Sequence, residues 1–203
     1  MHKEILSQEQ MALFPLLERF GKEFGLVGGT AVALHLGHRR SIDFDLFSEK
    51  EFQNIALERN IKKVLSIERV LVSRAGELTF VSKGVKVTFF CYPFHVEYTD
   101  SFEGLIPMPD ILTLAAMKAF AIGKRAKWKD YVDVYFILKN QHSLQEVVAR
   151  AKEIFGPEFN EKIFRTQLSY FDDINYDEAV DFMPGYAIEE SAIKEALIRF
   201  SLS

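Results

Sequence analysis

The spacing of apolar residues divides the chain into a mixed first half and a helical second half. Between residues 7 and 22 the spacing is helical, with apolar positions at Met11, Phe14, Leu17 and Phe20. A very short apolar strand follows at 26–27, and then come a tandem-glycine turn and a helix at 31–36. In SIDFDLF (41–47), apolar and polar residues alternate, which predicts a strand with one buried face.

The remaining patterns complete this division. Residues 49–65 have amphipathic helical spacing, and the stretches 67–74, 77–81 and 85–91 are typical of strands. The tripeptide SKG at 82–84 predicts a hairpin turn, and three prolines between 93 and 109 mark a connecting region. Helical patterns then occur at 110–124, 128–139, 144–155, 161–171 and 189–200. We therefore expect an α+β fold, with an α/β core at 1–100 and a helical C-terminal region at 101–203 packed on it.

Composition narrows the classes of protein that fit this pattern. A chain of 203 residues that is 48% hydrophobic and contains 19 Phe can fill a sizeable core. The net charge of −4 excludes a global basic field, so any nucleic-acid contact needs a local basic patch. The single cysteine excludes an intramolecular disulfide and a Cys-based zinc site. The start lacks a signal-peptide pattern and no apolar run approaches about 20 residues, so we expect a soluble cytoplasmic protein with no membrane partner.

Asp43 and Asp45 share one face of the strand at 41–47, because side chains two residues apart point the same way. Adjacent carboxylates repel each other, and a bound cation relieves that repulsion. Mg²⁺ (or Mn²⁺) prefers such oxygen ligands and completes its shell with substrate phosphates and water. The alternative is a solvated strand face. Aspartate is depleted in strands, which favours the metal site.

A turn formed by Gly28, Gly29 and Thr30 precedes this acid pair. The glycines permit a ligand to approach the main chain closely, and the first amides of the following helix favour anions. The alternative is an ordinary helix start capped by Thr30. Together, the turn and the acid pair form a phosphoryl-transfer arrangement that lacks the Gly-Lys-Ser/Thr of a P-loop. Arg39 and Arg40 lie between them and are candidates to neutralise a triphosphate.

A cationic patch lies between residues 118 and 129, where five side chains are positive and none is negative. On a continuous helix Lys118, Arg125 and Lys129 would share one face; the alternative is a break into two helices at Gly123 and the polar run around residue 126. The other two lysines fit a solvated face. Lys118 lies in an apolar run, so it either snorkels to the surface or contacts an anionic ligand. Asp130 and Asp133 either position these cations or are helix-start carboxylates that favour the helix dipole.

Two segments, GGTAVALHLGHRRSIDFDLF (28–47) and KAFAIGKRAKWKDYVDVYFIL (118–138), resemble the motifs of the AbiEii/AbiGii toxin family. This family lies within the polymerase-β-like nucleotidyltransferase superfamily. The resemblance implies a nucleotidyltransferase-like mixed β-sheet flanked by helices. It also implies a nucleoside triphosphate substrate, Mg²⁺, RNA acceptors such as tRNA, and an antitoxin as partner protein.

The resemblance also implies roles for individual residues. Asp43 and Asp45 would bind the metal, Lys118 would contact phosphate, and Asp130 or Asp133 would complete the catalytic site. The glycine turn would hold the triphosphate. With the basic residues added, the expected nucleotide-binding set is Gly28, Gly29, Thr30, Arg39, Arg40, Arg125 and Lys129.

One position departs from the superfamily pattern. These enzymes usually place a third carboxylate on a later strand, where it serves as a base or as a second metal ligand. The matching strand here is GVKVTFF (84–90), and the position is occupied by Thr88, with Lys86 on the same polar face. Three hypotheses therefore stand: a nucleotidyltransferase, a catalytically degenerate module that binds a nucleotide or a partner protein, and a structural interaction protein that binds no nucleotide.

Overall fold

The computed structural model describes residues Met1–Ser203, which form seven strands and nine helices. The strands are β1 (Gly25–Val27), β2 (Phe44–Ser48), β3 (Arg69–Arg74), β4 (Glu77–Ser82), β5 (Val85–Cys91), β6 (Asp100–Phe102) and β7 (Ile106–Met108). The helices are α1 (Gln8–Met11), α2 (Phe14–Phe20), α3 (Gly28–Leu36), α4 (Asn54–Ile61), α5 (Ile111–Ile122), α6 (Trp128–Asn140), α7 (Leu144–Phe155), α8 (Glu161–Gln167) and α9 (Glu190–Ser201).

Five strands form one mixed sheet in the order β1-β2-β5-β4-β3. β2 pairs antiparallel with β1 and parallel with β5, while β5, β4 and β3 are antiparallel neighbours. In this register Asp45 lies opposite both Val27 of β1 and Thr88 of β5. The end of β1, where the glycine turn begins, is therefore beside the acid pair.

The two faces of the sheet differ in burial. Phe44 and Leu46 of β2 and Val87 and Phe89 of β5 are fully buried on one face, as the alternating pattern predicts. The residues between them are only partly buried and leave the other face open to a cleft. A single cluster of 50 buried apolar residues includes members from both halves of the chain. The division into regions 1–100 and 101–203 stays a prediction.

The predicted α+β class is confirmed, and the errors are local. The helix expected at 7–22 is two short helices, because the chain turns at residues 12–13 and Pro15 lies in the first turn of α2. The helix expected at 49–65 is limited to α4, and the β6–β7 hairpin was not predicted. Lys83 and Gly84 have φ of 51° and 73°, which confirms the tight hairpin turn. None of the helices is long and apolar enough to span a membrane.

Candidate active site

A cleft of about 490 Å³ lies between the open face of the sheet and α5. The acid pair and the glycine turn lie on its wall together with cations from the helical half of the chain. Of the residues expected from the sequence, those on the wall are Gly28, Gly29, Arg39, Asp43, Asp45, Lys118, Arg125, Lys129 and Asp130. The structure therefore brings the two sequence segments, which are far apart in the chain, into one site.

The acid pair is partly exposed and only partly neutralised. Lys86 places its Nζ 2.6 Å from Asp43 Oδ2, and this is the one ion pair that the two acids make. Burial, and then the negative charge of Asp43, raise the pKa of Asp45 above its usual value. An elevated carboxyl pKa means that the ionised form is disfavoured, so this pair favours the binding of an additional cation.

The glycine turn packs directly against the acid pair. Gly28 has a φ of 73°, and a Cβ built on it would overlap Asp45 Oδ2. A Cβ on Gly29 would lie 2.8 Å from Arg39 Nη2. The helix begins at Gly28, earlier than the expected Ala31, and no side chain caps its first turn. Its first amides are consequently free of side-chain acceptors, at the end of the helix that favours anions.

Two of the expected nucleotide-binding residues are not on the cleft wall. Thr30 is the third residue of α3, 1% exposed, and its hydroxyl donates to the main-chain oxygen of Asp43. It therefore supports the segment that carries the acids, and its side chain is not on the cleft wall. Arg40 points outward, where its Nε lies 3.5 Å from Asp181 Oδ2. The structure therefore does not bring these two expected side chains into the cleft.

Asp133 is the centre of a buried ionic network rather than a group that meets substrate. It is fully buried, and its carboxylate accepts hydrogen bonds from Arg39 Nε (2.7 Å), Arg39 Nη2 (2.8 Å) and His38 Nε2 (2.8 Å). Lys118 Nζ lies 2.8 Å from its Oδ2. Burial opposes ionisation, but Arg39 and then Lys118 hold the pKa of Asp133 well below its usual value. The structure therefore does not bring Asp133, expected to be catalytic, to the cleft wall.

Asp130 differs from Asp133 because it lies on the cleft wall and retains one free oxygen. Its Oδ1 is 2.5 Å from Lys118 Nζ, so Lys118 bridges the two aspartates of α6. Its buried Oδ2 has no hydrogen-bond partner, and Arg125 Nε is 3.5 Å away. A buried, unpaired carboxylate oxygen is unusual and needs an acceptable donor. A hydroxyl group of a bound ligand is a suitable donor for it.

Glu178 is a cleft residue that the sequence patterns did not identify. It is 3.0 Å from Lys127 Nζ and 3.3 Å from Lys129 Nζ. The hydrogen bond from Lys127 is the main cause that lowers the pKa of Glu178 to about 2. The only signal in the sequence is the acidic composition of 172–181, which has five acids and no bases. This segment lies against the basic patch through main-chain bonds between Asn175 and residues 126 and 128.

The residues present fit a divalent ion only when a substrate contributes ligands. No group of three or more His, Cys, Asp or Glu side chains in the structure is arranged to hold a metal ion. Mg²⁺, however, is often bound by one or two carboxylates together with substrate phosphates, and Asp43 and Asp45 supply that number. Thr88, and not a carboxylate, lies opposite Asp45 on β5. The Thr88 hydroxyl accepts a hydrogen bond from Thr79 Oγ1 at 3.3 Å.

Known proteins share this sequence pattern and fold. The family model described as "Nucleotidyl transferase AbiEii toxin, Type IV TA system" matches residues 13–198. An uncharacterised protein of Aquifex aeolicus (strain VF5) is 33% identical over 177 residues, which is 85% of each chain.

Solved structures extend the similarity to the fold. MenT4, a nucleotidyltransferase toxin from Mycobacterium tuberculosis H37Rv, superimposes with a TM-score of 0.62 at 13% identity, covering 95% of this chain and 81% of that one. JHP933 from Helicobacter pylori has a TM-score of 0.59 at 16% identity, covering 97% and 92%. At these identities the two structures show a common fold.

Proposed function

Because the chain belongs to the AbiEii family of nucleotidyltransferase toxins, we propose that it transfers a nucleotidyl group from a nucleoside triphosphate to a hydroxyl acceptor. The proposed acceptor class is RNA such as tRNA, and the proposed cofactor is Mg²⁺ (or Mn²⁺). The observation that carries the proposal is the packing of Gly28 against Asp45. This contact supports a site in which the turn would bind an anion and the carboxylate would bind a cation.

The proposed reaction is an in-line displacement at the α-phosphorus of the nucleoside triphosphate. The acceptor oxygen forms a bond to the α-phosphorus while the bond from that phosphorus to the α–β bridging oxygen breaks. Pyrophosphate leaves, and the acceptor proton passes to a carboxylate or to water. Asp43 and Asp45 would hold the divalent ion, which would supply positive charge to offset that of the phosphates.

The protein groups have separable roles in this scheme. The free amides at Gly28 and Gly29 and the remaining hydrogen of Lys118 stabilise negative charge on the leaving pyrophosphate. Arg125 and Lys129, which line the same cleft, bind further phosphate oxygens. Asp130 uses its free Oδ2 to accept a hydrogen bond from the attacking hydroxyl.

The test is transfer of label from each α-³²P nucleoside triphosphate to total RNA. We expect labelling by the wild-type protein and none by the double variant Asp43→Ala, Asp45→Ala. The matched control is Asp172→Asn, because Asp172 is exposed and makes no ion pair. Labelling that persists in the double variant contradicts the assigned roles.

A second candidate function is a nucleotide- or partner-binding module without transfer activity. The observation that favours it is Thr88, which lies opposite Asp45 where the superfamily pattern has a carboxylate. The unfolding temperature of such a module should rise when Mg²⁺ and a nucleoside triphosphate are added, but the module should transfer no label. If no nucleotide raises the unfolding temperature, the result supports an interaction protein that binds no nucleotide.

The toxin role is a separate part of the proposal, and growth measures it. Induced expression of the wild-type protein is expected to arrest growth, while the Asp43→Ala, Asp45→Ala variant at equal abundance does not. Co-expression of the adjacent gene, as candidate antitoxin, is expected to restore growth. Equal arrest by both forms of the protein contradicts a catalytic toxin.

A further inference from the structure

The cleft has an aromatic end that the phosphate chemistry does not use. Its lining there includes Phe47 and Phe90 from the sheet, Tyr92 directly after β5, and Phe120 from α5. We propose that this end is the nucleobase subsite and that Glu77 recognises an amino group on the base. This inference rests on the proposed function, since it concerns the nucleoside part of the same substrate.

The register of the sheet separates the acid pair from the aromatic end of the cleft by about the length of a ribose. Asp45 and Phe47 are two residues apart on β2, and their partners on β5 are Thr88 and Phe90. Two residues of a strand span about 6.6 Å, which is comparable to the width of a ribose. An α-phosphate at Asp45 therefore places the base over the aromatic end, on the same face of the sheet.

The aromatic residues at this end are exposed to the cleft, unlike the core aromatics. Phe47, Phe90 and Tyr92 are partly exposed, whereas Phe44 and Phe89 on the opposite face are fully buried. Phe47 is 5.2 Å from Phe90 and 5.0 Å from Tyr92 between ring centroids, with tilted planes. Rings that are tilted against each other leave aromatic surface available, and a base stacks on such surface whatever its sequence identity.

The opposite wall of the subsite is apolar as well. Met117 and Phe120 of α5 line the cleft across from the sheet. Phe120 is held in place by Phe155, with parallel rings 4.0 Å apart. Lys124, which also lines the cleft, places its Nζ 3.9 Å from the centroid of the Phe120 ring. A flat group thus fits between the aromatic sheet face and a fixed helix face that carries one cation.

Glu77 supplies a polar group at the aromatic end. It lies opposite Phe90 in the β4–β5 register and lines the cleft. Arg74 binds its Oε2 through Nε (2.8 Å) and Nη2 (2.6 Å), and no protein group donates to its Oε1. A carboxylate oxygen accepts from an exocyclic amino group, which adenine, cytosine and guanine have. Uracil and hypoxanthine present no such donor, so the subsite selects against them.

The first experiment separates the base from the phosphates by calorimetric titration with Mg²⁺–tripolyphosphate and with Mg²⁺ nucleoside triphosphates. For Phe90→Ala we expect nucleotide affinity to fall between about 5-fold and 150-fold, corresponding to about 1–3 kcal/mol of stacking. Tripolyphosphate affinity should change less than twofold. The control is Tyr170→Ala, an exposed aromatic residue outside the cleft. Phe90→Trp, which keeps an aromatic surface, is expected to retain nucleotide affinity.

The outcomes of this experiment distinguish the two proposals. If tripolyphosphate does not bind the wild-type protein, the proposed function itself fails. If tripolyphosphate binds as tightly as every nucleotide, only the base subsite is overturned. An equal loss of both ligands in Phe90→Ala, or no loss of nucleotide, also overturns it. The fluorescence of 2-aminopurine riboside triphosphate gives an independent readout, because stacking quenches its emission in the wild type and much less in Phe90→Ala.

The second experiment tests Glu77. We expect the nucleotide that binds most tightly to carry an exocyclic amino group. It should bind about tenfold more tightly than its counterpart without that group: CTP is compared with UTP, and ATP or GTP is compared with ITP. In Glu77→Ala this preference should fall to less than threefold, while tripolyphosphate affinity is unchanged. A wild-type protein that binds UTP or ITP as tightly as the amino-bearing nucleotides overturns the role of Glu77, as does a preference that survives in Glu77→Ala.

Discussion

Two pairs of aspartates, one at the sheet and one on α6, differ in how many cations they contact. Asp43, just before β2, contacts one ammonium group, from Lys86, whereas Asp45 on β2 makes no ion pair and its pKa is raised. On α6, Asp133 alone contacts Arg39, Lys118 and His38, and its pKa is well below the usual value. Both pairs have short sequence spacing and lie among apolar residues, so spacing does not distinguish them. Their neighbours do.

This difference supports the different roles that we propose for the two pairs. A carboxylate that is already surrounded by fixed cations is stabilised in place and has little to offer a metal ion. Two neighbouring carboxylates without enough cations repel each other, so binding a cation lowers their free energy. Asp130 falls between these cases, because Lys118 binds one of its oxygens and the other is free.

The largest expected effect comes from Asp45→Asn. Transfer activity should fall by about 10³-fold, because the charge that binds the cation is lost. The unfolding temperature should stay the same or rise, since the raised pKa of Asp45 means that its ionised form is unfavourable in the folded state. Radiolabel transfer and thermal unfolding at pH 7.5 measure the two effects. A large loss of stability in this variant removes the distinction between the pairs.

Asp133→Asn is the opposite case. It leaves Arg39 and Lys118 buried without their carboxylate, so we expect a loss of about 3–5 kcal/mol in the free energy of unfolding. Urea denaturation followed by circular dichroism measures it, and Asp172→Asn is the exposed control. A loss below about 1 kcal/mol means that the network is not structurally important.

The substitution Lys86→Met removes the one cation that contacts the acid pair Asp43 and Asp45. We expect this variant to bind Mn²⁺ alone about tenfold more tightly than the wild type, after allowance for solvent screening at this half-exposed site. Electron paramagnetic resonance of free Mn²⁺ measures the affinity without any transfer reaction. Lys50→Met is the control, as Lys50 is exposed and unpaired. Equal affinities would show that Lys86 does not compete with the metal.

The buried network also predicts a pH dependence. Burial lowers the pKa of His38 below 6.5, although Asp133 opposes this effect. Below pH 6.5 the unfolded chain therefore binds a proton that the folded protein does not, and stability falls as the pH decreases. The slope is at most about 1.4 kcal/mol per pH unit for one proton. Urea midpoints between pH 7.5 and 5.5 should decrease less in His38→Gln than in the wild type; parallel decreases contradict the assignment.

The smallest expected effect is that of Glu178→Gln. Glu178 forms ion pairs with Lys127 and Lys129 at the edge of the cleft. A substrate phosphate would compete with Glu178 for these two lysines. Removing its charge should increase nucleotide affinity by about twofold to fivefold, a small change because all three side chains are partly exposed. Titration in 0.05 M and 0.3 M salt provides the check, since the gain should shrink as salt screens the charges. A loss of affinity would mean that Glu178 supports the site.

Much of the fold follows from local patterns. The alternation in SIDFDLF identifies β2, and the tandem glycines identify the turn, because each reflects a rule that acts within a few residues. Five helices after residue 110 begin within two residues of their predicted starts. The helix expected at 7–22 was wrong because Pro15 and the turn before it interrupt an apolar spacing that is otherwise helical.

The contents of the site were less accessible to local reasoning. Thr30, Arg40 and Asp133 have the right chemistry, but their side chains are directed to main-chain atoms, to Asp181 and to a buried network. Glu178 has no motif at all, and it reaches the cleft because a non-helical segment is bonded to residues 126 and 128. Which partner a charged side chain meets depends on tertiary packing, which a one-dimensional pattern does not contain.

The contact between residues 38–40 and residues 181–183 has a consequence for truncated chains. Arg40 N donates to Asp181 O, and Met183 N donates to His38 O, so the loop before the acid pair is supported by a segment that lies far along the chain. A product truncated before residue 181 lacks that support. We therefore expect such a product to lose the proposed activity, even though it retains Asp43, Asp45 and Lys118.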